Sequence, residues 1–361
     1  MSQAVDYKCP NCGSALVFDP GLGRVRCQGC GSTFDPPAAP VEPLGPAISG
    51  GAKAAVAARA AEAAAPTGLS QVECRSCGAQ IVVATQTEAS TTCAYCHSPV
   101  VLVGQLSGGL APDTVVPFSI RADQAREIFD RWISKKRYVQ AGFYSRRRID
   151  KLDGVYFPYF AVDAQADVQV EGTAHFTTGA GKYQRDHYFH VLREGEVQIE
   201  NLPQEALRAN RADKMINRLL PWDMTKQVPF APQYLAGFQT ERRDLDFGQV
   251  AVEVGHHLDL ASRRLMATDV FQGDKRLRDM KLWGVTKIRR WRHRYTLLPA
   301  WVLFYTAPGG ELYYFGINGQ TGEAAGRLPI NEGKLKRDAF LISAAGGLVV
   351  LAGLAAMLAG F

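Results

Sequence analysis

The sequence has no cysteine outside four C-x-x-C pairs, so no thiol is left over to act as a catalytic nucleophile. It has neither G-x-S-x-G nor H-E-x-x-H, which removes the nucleophile-elbow hydrolases and the common zinc peptidases. It has no P-loop. The nearest stretch, TTGAGKY at 177–183, misplaces the first glycine and puts Tyr183 where Ser or Thr must meet Mg²⁺. No acidic Mg²⁺-binding motif accompanies it, so a helicase or other nucleotide-driven motor is excluded. Charge of one sign is also scarce: 41 Lys and Arg against 35 Asp and Glu leave a net of +6. That balance is compatible with anionic lipid or nucleic acid and requires neither. No signal peptide is expected, because a cysteine-bearing segment begins within the first ten residues. The expectation from these absences is a protein that is not an enzyme.

What is present is a repeated cysteine unit. The eight cysteines are Cys9, Cys12, Cys27, Cys30, Cys74, Cys77, Cys93 and Cys96. KCPNCGSALVF at 8–18 aligns with ECRSCGAQIVV at 73–83, an internal repeat. Each unit reads as a zinc ribbon, in which two tight C-x-x-C turns supply the four tetrahedral thiolates of one Zn²⁺. Gly13, Gly31 and Gly78 follow the second cysteine of their pairs, where the turn needs a positive φ. Leu16-Val17-Phe18 and Ile81-Val82-Val83 supply β-rich runs for a ribbon hairpin. Two zinc ions, one per ribbon, are expected, and ribbons this small depend on metal to fold.

The stretch CAYCH at 93–97 also matches a c-type haem attachment signal. That reading leaves Cys74 and Cys77 without a role, whereas the zinc reading uses all eight cysteines and places His97 where the other turns carry glycine. A disulfide framework is the remaining alternative and depends on compartment.

The last 23 residues, AFLISAAGGLVVLAGLAAMLAGF from Ala339, carry no charge. About 20 apolar residues span a bilayer, so this run is expected to be a transmembrane tail anchor. Lys334, Lys336 and Arg337 precede it and nothing basic follows. The positive-inside rule then expects a single-pass protein of the cell membrane with its N-terminal bulk in the cytoplasm.

The expected organisation is multidomain: ribbon 1 at 1–35, an Ala/Pro-rich linker at 36–69, ribbon 2 at 70–103, a core at 104–335 and the anchor at 339–361. The linker is expected to give the first ribbon independent reach from the second. The core reads as α+β with an antiparallel sheet and a weak internal duplication. Val116-Pro117-Phe118 recurs as Val228-Pro229-Phe230, each ahead of a helical stretch. The first helix is marked by Ala125, Ile128, Phe129 and Trp132 with Asp123 near its start; the second runs about Asp246 to Val270. Each is followed by an aromatic strand carrying a proline, GVYFPYFAVDA at 154–164 and YTLLPAWVLFYTA at 295–307. Proline inside a strand points to an edge or a bulge. Further strands are expected in VQVEGTAHF and HYFHVLREGEVQIE, and a hairpin turns at Asn318-Gly319.

Two other patterns carry alternatives. His187 and His190, and the adjacent His256 and His257, read as structural or surface residues, since neither pair shares a face suited to one metal. The run Lys287-Ile-Arg-Arg-Trp-Arg-His-Arg-Tyr295 interleaves cations with rings. It suits a nucleic-acid strand, a lipid or protein surface, or a solvated edge strand guarded by charge.

The paired ribbons, CPNCGSALVFDP, VVPF, GVYFPYF, LLPAWVL, the NGQTG turn and the terminal apolar run occur in one order. That order resembles the bacterial TFIIB-type zinc-ribbon proteins, often labelled as primosomal protein N′ or as a replication helicase. The resemblance implies zinc on the eight cysteines and a neighbourhood of phage-shock-protein-A-like and flotillin-like or virion-core-like proteins. The expected function is a membrane-anchored zinc-ribbon adaptor that binds protein partners in an envelope-stress response. The alternative is a membrane-tethered nucleic-acid-binding protein.

Overall fold

The computed structural model describes residues 4–5, 8–36, 48–49, 70–73, 80–83, 88–92, 99–102, 111–140, 152–179, 181, 183–207, 217–268, 278–306 and 311–359. Among them the fold is mostly β-sheet with three α-helices. In chain order, β1 (Ala4–Val5) precedes β2 (Leu16–Asp19), β3 (Arg24–Cys27) and β4 (Thr33–Phe34). Next come β5 (Ile48–Ser49), β6 (Ser70–Glu73), β7 (Gln80–Val83), β8 (Glu88–Thr92), β9 (Pro99–Leu102) and β10 (Thr114–Val115). Then follow α1 (Ala122–Ser134), β11 (Asp153–Thr178), β12 (Arg185–Glu205), β13 (Val228–Pro229), β14 (Gln239–Glu241) and α2 (Phe247–Thr268). The chain ends with β15 (Arg278–Thr306), β16 (Leu312–Asn318), β17 (Ala324–Arg327) and α3 (Glu332–Ala359).

Two compact units divide the chain. The first takes Met1–Pro117, Tyr156–Asn210 and Asp223–Pro299; the second takes Phe118–Val155, Arg211–Trp222 and Ala300–Phe361.

In the first unit the sheet runs β1-β9-β8-β14-β11-β15-β10-β13, with β12 paired to β11. β10 pairs parallel with β15, while β12 pairs antiparallel with β11, β8 with β14 and β9, and β13 with β10. The two strands expected around GVYFPYF and VQVEGTAHF are one strand of 26 residues, β11, joined through a register shift between Val162 and Ala164. There Glu200 and Asn201 of β12 stand against the single Asp163, whose Oδ1 accepts the Asn201 N–H at 2.7 Å, and Asn201 turns with a φ of 54°. The sequence beyond the bulge alternates, so Ala164, Ala166, Val168 and Val170 are buried while Gln165, Asp167 and Gln169 stay open. On the buried face α2 lies across β12, burying Val250, Ala251, Val254 and Leu258. Phe247 stacks on His293 at 3.8 Å and meets Trp291 edge-on at 5.4 Å. Pro158 is buried inside β11 rather than on an edge strand. Its missing N–H does not interrupt the β12 ladder, which begins one residue later at Tyr159.

The first ribbon, β2-β3-β4, does not stand apart on its linker. Phe18 donates its backbone N–H to the Ala236 carbonyl at 3.0 Å, and its ring meets Tyr234 at 5.1 Å. Phe18 is 2% exposed, so withdrawing the ribbon returns a full aromatic side chain to water. Gly237 makes this close approach possible. Its φ is +93°, and a Cβ there would lie 2.5 Å from Val17 Cγ1.

In the second unit α1 covers the β16–β17 hairpin. Ala125 and Phe129 are buried, and Phe129 and Trp132 each meet the Phe315 ring at 4.7 Å. The turn after β16 centres on Asn318, which is fully buried. Its Oδ1 accepts the N–H groups of Gln320 and Thr321, and its Nδ2 donates to the carbonyls of Leu219 and Pro221. The positive φ of this turn falls at Gly322, so the connection is longer than a two-residue turn.

The expected transmembrane anchor at 339–361, and with it the single-pass cell-membrane location, is not supported. The segment does form a helix, α3, but among the described residues no helix is long and apolar enough to cross a membrane. The first two turns of the helix carry Glu332, Lys334, Lys336, Arg337 and Asp338. The three cations ahead of the apolar run are engaged locally. Lys336 pairs with Glu332 at 2.9 Å, Arg337 with Asp338 at 2.9 Å, and Lys334 donates to the Arg137 carbonyl at 2.9 Å. Residues 360–361 lie outside the described residues.

Phe129 sits at the centre of the second unit's aromatic cluster. Phe129→Ala is expected to cost about 3–5 kcal/mol, read as a lower urea midpoint. An unchanged midpoint removes the cluster as the stabilising core of that unit.

Candidate metal centre

Cys9 and Cys12 sit on one turn and Cys27 and Cys30 on another, and each turn reads C-x-x-C-G-S. The repeated sequence gives repeated geometry. The Cys9 N–H donates to the Ser14 carbonyl and the Gly13 N–H to the Cys9 carbonyl, both at 2.8 Å. The Cys27 N–H likewise donates to the Ser32 carbonyl at 2.8 Å, and the Gly31 N–H to the Cys27 carbonyl at 3.1 Å. Gly13 and Gly31 take φ of 72° and 75°, the positive values that the sequence position predicts. Antiparallel β2 and β3 hold the two turns face to face, with Leu16 opposite Cys27.

The four sulfurs converge. Cys9 Sγ lies 3.6 Å from Cys30 Sγ and Cys12 Sγ lies 3.4 Å from Cys27 Sγ, and all four fall within 4.8 Å of one another. A tetrahedron with Zn–S bonds of about 2.3 Å has edges of about 3.8 Å, so the spacing fits such an ion closely. This group of four cysteines can hold a metal ion. Cys9 and Cys27 are buried, while Cys12 and Cys30 face solvent.

The surroundings prepare the thiols unequally. Burial pushes the Cys9 thiol up to about 11. Hydrogen bonding to Ser14 brings Cys12 down to about 6, and Ser32 lowers Cys30 in the same sense. The Ser32 hydroxyl lies 3.2 Å from Cys30 Sγ and accepts from Asn11 Nδ2 at 3.0 Å, linking the two turns. These serines supply outer-sphere contacts that the cysteine spacing alone did not reveal. The signal was present as the repeated Gly-Ser after each pair. Gly29 is required too, since a Cβ there would lie 2.3 Å from Ser14 Oγ.

Cys74, Cys77, Cys93 and Cys96 lie outside the described residues, as do Gly78 and His97. The strands that flank them are described: β6 pairs with β7, setting Glu73 opposite Gln80, and β8 pairs with β9, setting Thr92 opposite Pro99.

The basic-aromatic run 287–295 lies within β15. Trp291 and Tyr295 are buried, and His293 stacks on Phe247. Arg289 pairs with Asp167 at 2.7 Å, Arg290 donates to Gln165 at 2.9 Å, and Arg294 reaches Asp163 at 3.2 Å and Asn201 at 2.6 Å. The rings therefore face the core rather than a ligand. Of the histidines, His187 stacks on Phe176 at 4.8 Å, His190 pairs with Glu171 at 2.9 Å, and His257 meets Gln204 at 3.0 Å. TTGAGKY lies on the connection from β11 to β12, both strands, whereas a P-loop opens a helix.

The chain is 28% identical over 369 residues to a Bacillus subtilis (strain 168) protein described as uncharacterized protein YdjG, spanning 99% of this chain and 98% of the relative. No family model matches the chain, and no solved structure matches it.

The thiol environments set a pH dependence for metal uptake. Near pH 7 the metal-free site carries a thiolate at Cys12 and a protonated Cys9, so binding must expel at least the Cys9 proton. Affinity is expected to rise by about tenfold per pH unit for each proton displaced, from pH 7 upward, and to fall further as Cys12 protonates below about 6. Competition with a chromophoric chelator at pH 6, 7 and 8 measures this. A pH-independent affinity would refute thiol ligation.

Proposed function

We propose that this chain is a zinc-ribbon adaptor that recognises protein partners and carries out no catalysis. The observation that carries the reading is the Cys9, Cys12, Cys27, Cys30 tetrad, built from two matching turns and seated on the sheet through Phe18. A soft four-thiolate set with near-tetrahedral spacing suits Zn²⁺ above other divalent ions, and a closed set without an open position gives structure rather than Lewis-acid chemistry. The second ribbon, Cys74, Cys77, Cys93 and Cys96, takes a second zinc ion on the strength of the sequence repeat. The resemblance to TFIIB-type zinc-ribbon proteins points to flotillin-like or phage-shock-protein-A-like partners and to envelope stress.

The nucleic-acid reading has less support. Strand recognition needs rings available for stacking and cations available for phosphate, and the rings of 287–295 are packed while Arg289, Arg290 and Arg294 already have partners.

Purified protein is expected to carry about two zinc ions by elemental analysis, one per set of four cysteines. Replacing Cys9 and Cys12 with Ser should lower the content to near one and abolish partner co-purification, with nuclease treatment making no difference. If co-purification instead disappears with nuclease and weakens steeply with salt, the adaptor reading fails.

A further inference from the structure

The middle of β15 has two edges with different histories. Along one edge runs β11, as the contacts of Arg294 with Asp163, Arg290 with Gln165 and Arg289 with Asp167 show. The other edge is the one that β10 joins further on, at Thr296 and Leu297. On that edge β5 is paired antiparallel, with Ser49 opposite Arg290 and Ile48 opposite Trp291. Among the described residues no other strand occupies the edge N-terminal to Thr296.

The occupant is poorly matched to its seat. It comes from the stretch Gly45-Pro-Ala-Ile-Ser-Gly-Gly51, which is uncharged and bounded by proline and glycine, residues that strands disfavour. The seat carries Lys287, Arg289, Arg290, Arg292 and Arg294. Lys287 and Arg292 have no ion-pair partner among the described residues. An edge strand of high β-propensity with uncompensated cations accepts an added strand through its main chain, and the flanking charges choose which strand.

We propose that the edge of β15 around Lys287–Arg292 is a strand-acceptor site for an extended acidic segment of a partner protein, and that Ile48–Ser49 occupies it in the free protein. The tethered strand competes through its high effective concentration and not through complementarity. A partner strand without proline or glycine pairs over more residues, and a carboxylate opposite Arg292 adds a cross-strand ion pair. The site is separate from the cysteine ribbon and does not depend on metal.

The experiment uses the full chain and its Ser49→Pro variant, which removes a main-chain donor from β5. Hydrogen exchange at residues 288–292 should quicken by about tenfold in the variant while exchange in β2 and β3 is unchanged. A fluorescein-labelled peptide reading TVEISTET, whose first glutamate falls opposite Arg292 when its Ile-Ser takes the β5 register, should bind the variant about tenfold more tightly than the wild type. Adding Arg292→Gln should weaken that binding several-fold, and the glutamine version of the peptide should lose the same factor. Equal peptide binding by the two proteins, no binding to either, or unchanged exchange at 288–292 overturns the proposal. Zinc content is unaffected in every arm, so failure here leaves the ribbon reading standing.

Discussion

A strand of 29 residues presents a long row of amide and carbonyl groups on each edge, and those groups must be paired, hydrated or guarded. β15 is that strand. In the first unit β11, β10 and β5 are hydrogen-bonded to it, and in the second unit its last seven residues pair with β16 from Ala300 to Thr306. Pro299 immediately precedes the β16 ladder, as Pro158 immediately precedes the β12 ladder at Tyr159. A residue without an N–H is tolerated in a long strand when a new ladder starts just beyond it.

The ribbon obeys a second constraint. Four cysteines and a short three-stranded sheet enclose little apolar volume, and the four sulfurs can hold a metal ion that would tie the turns together. The apolar residues that the ribbon does own, Leu16, Phe18 and Val25, are nevertheless buried. They gain that burial through β2, whose Phe18 leans on Tyr234 and whose backbone bonds to Ala236. A bound metal would fix the ribbon's internal shape, while Gly237 and its neighbours fix where the ribbon sits.

Much of the local structure was legible because it follows from short-range chemistry. Gly13 and Gly31 announce the positive φ of the cysteine turns, and the spacing of Ala125, Phe129 and Trp132 marks the buried face of α1. The spans of α2 and of the hairpin after Asn318 are likewise written in periodicity and turn residues. Features set by pairing were not legible. The bulge at Glu200 and Asn201 of β12 is held by Asp163, 38 residues away, and opposite it the two expected strands run on as one. The seating of the ribbon depends on Gly237, whose role no local pattern shows. The last helix misled because the uncharged run, read alone, leaves out the charged turns that open the helix containing it. The cations before it read as a topology signal in sequence, yet in space they close a local network with Glu332, Asp338 and Arg137.

The basic-aromatic run shows how the same residues change meaning with pairing. In sequence, alternating rings and cations suggest a surface for a polyanion. In a strand, alternation places successive residues on opposite faces, so Trp291, His293 and Tyr295 turn together toward α2 and the core. The cations that remain meet acids supplied by the neighbouring strands: Asp163 and Asp167 from β11 and Glu196 from β12. The exposed pairs among these, Arg289 with Asp167 and with Glu196, each contribute only about 0–1 kcal/mol to stability. They nonetheless neutralise the face, and a phosphate backbone would have to displace them before releasing any counterions of its own. What survives in the run 287–295, among the described residues, is short and local, the two cations Lys287 and Arg292 beside a strand edge. A surface of that extent suits one extended peptide strand better than the repeating charge of a nucleic acid.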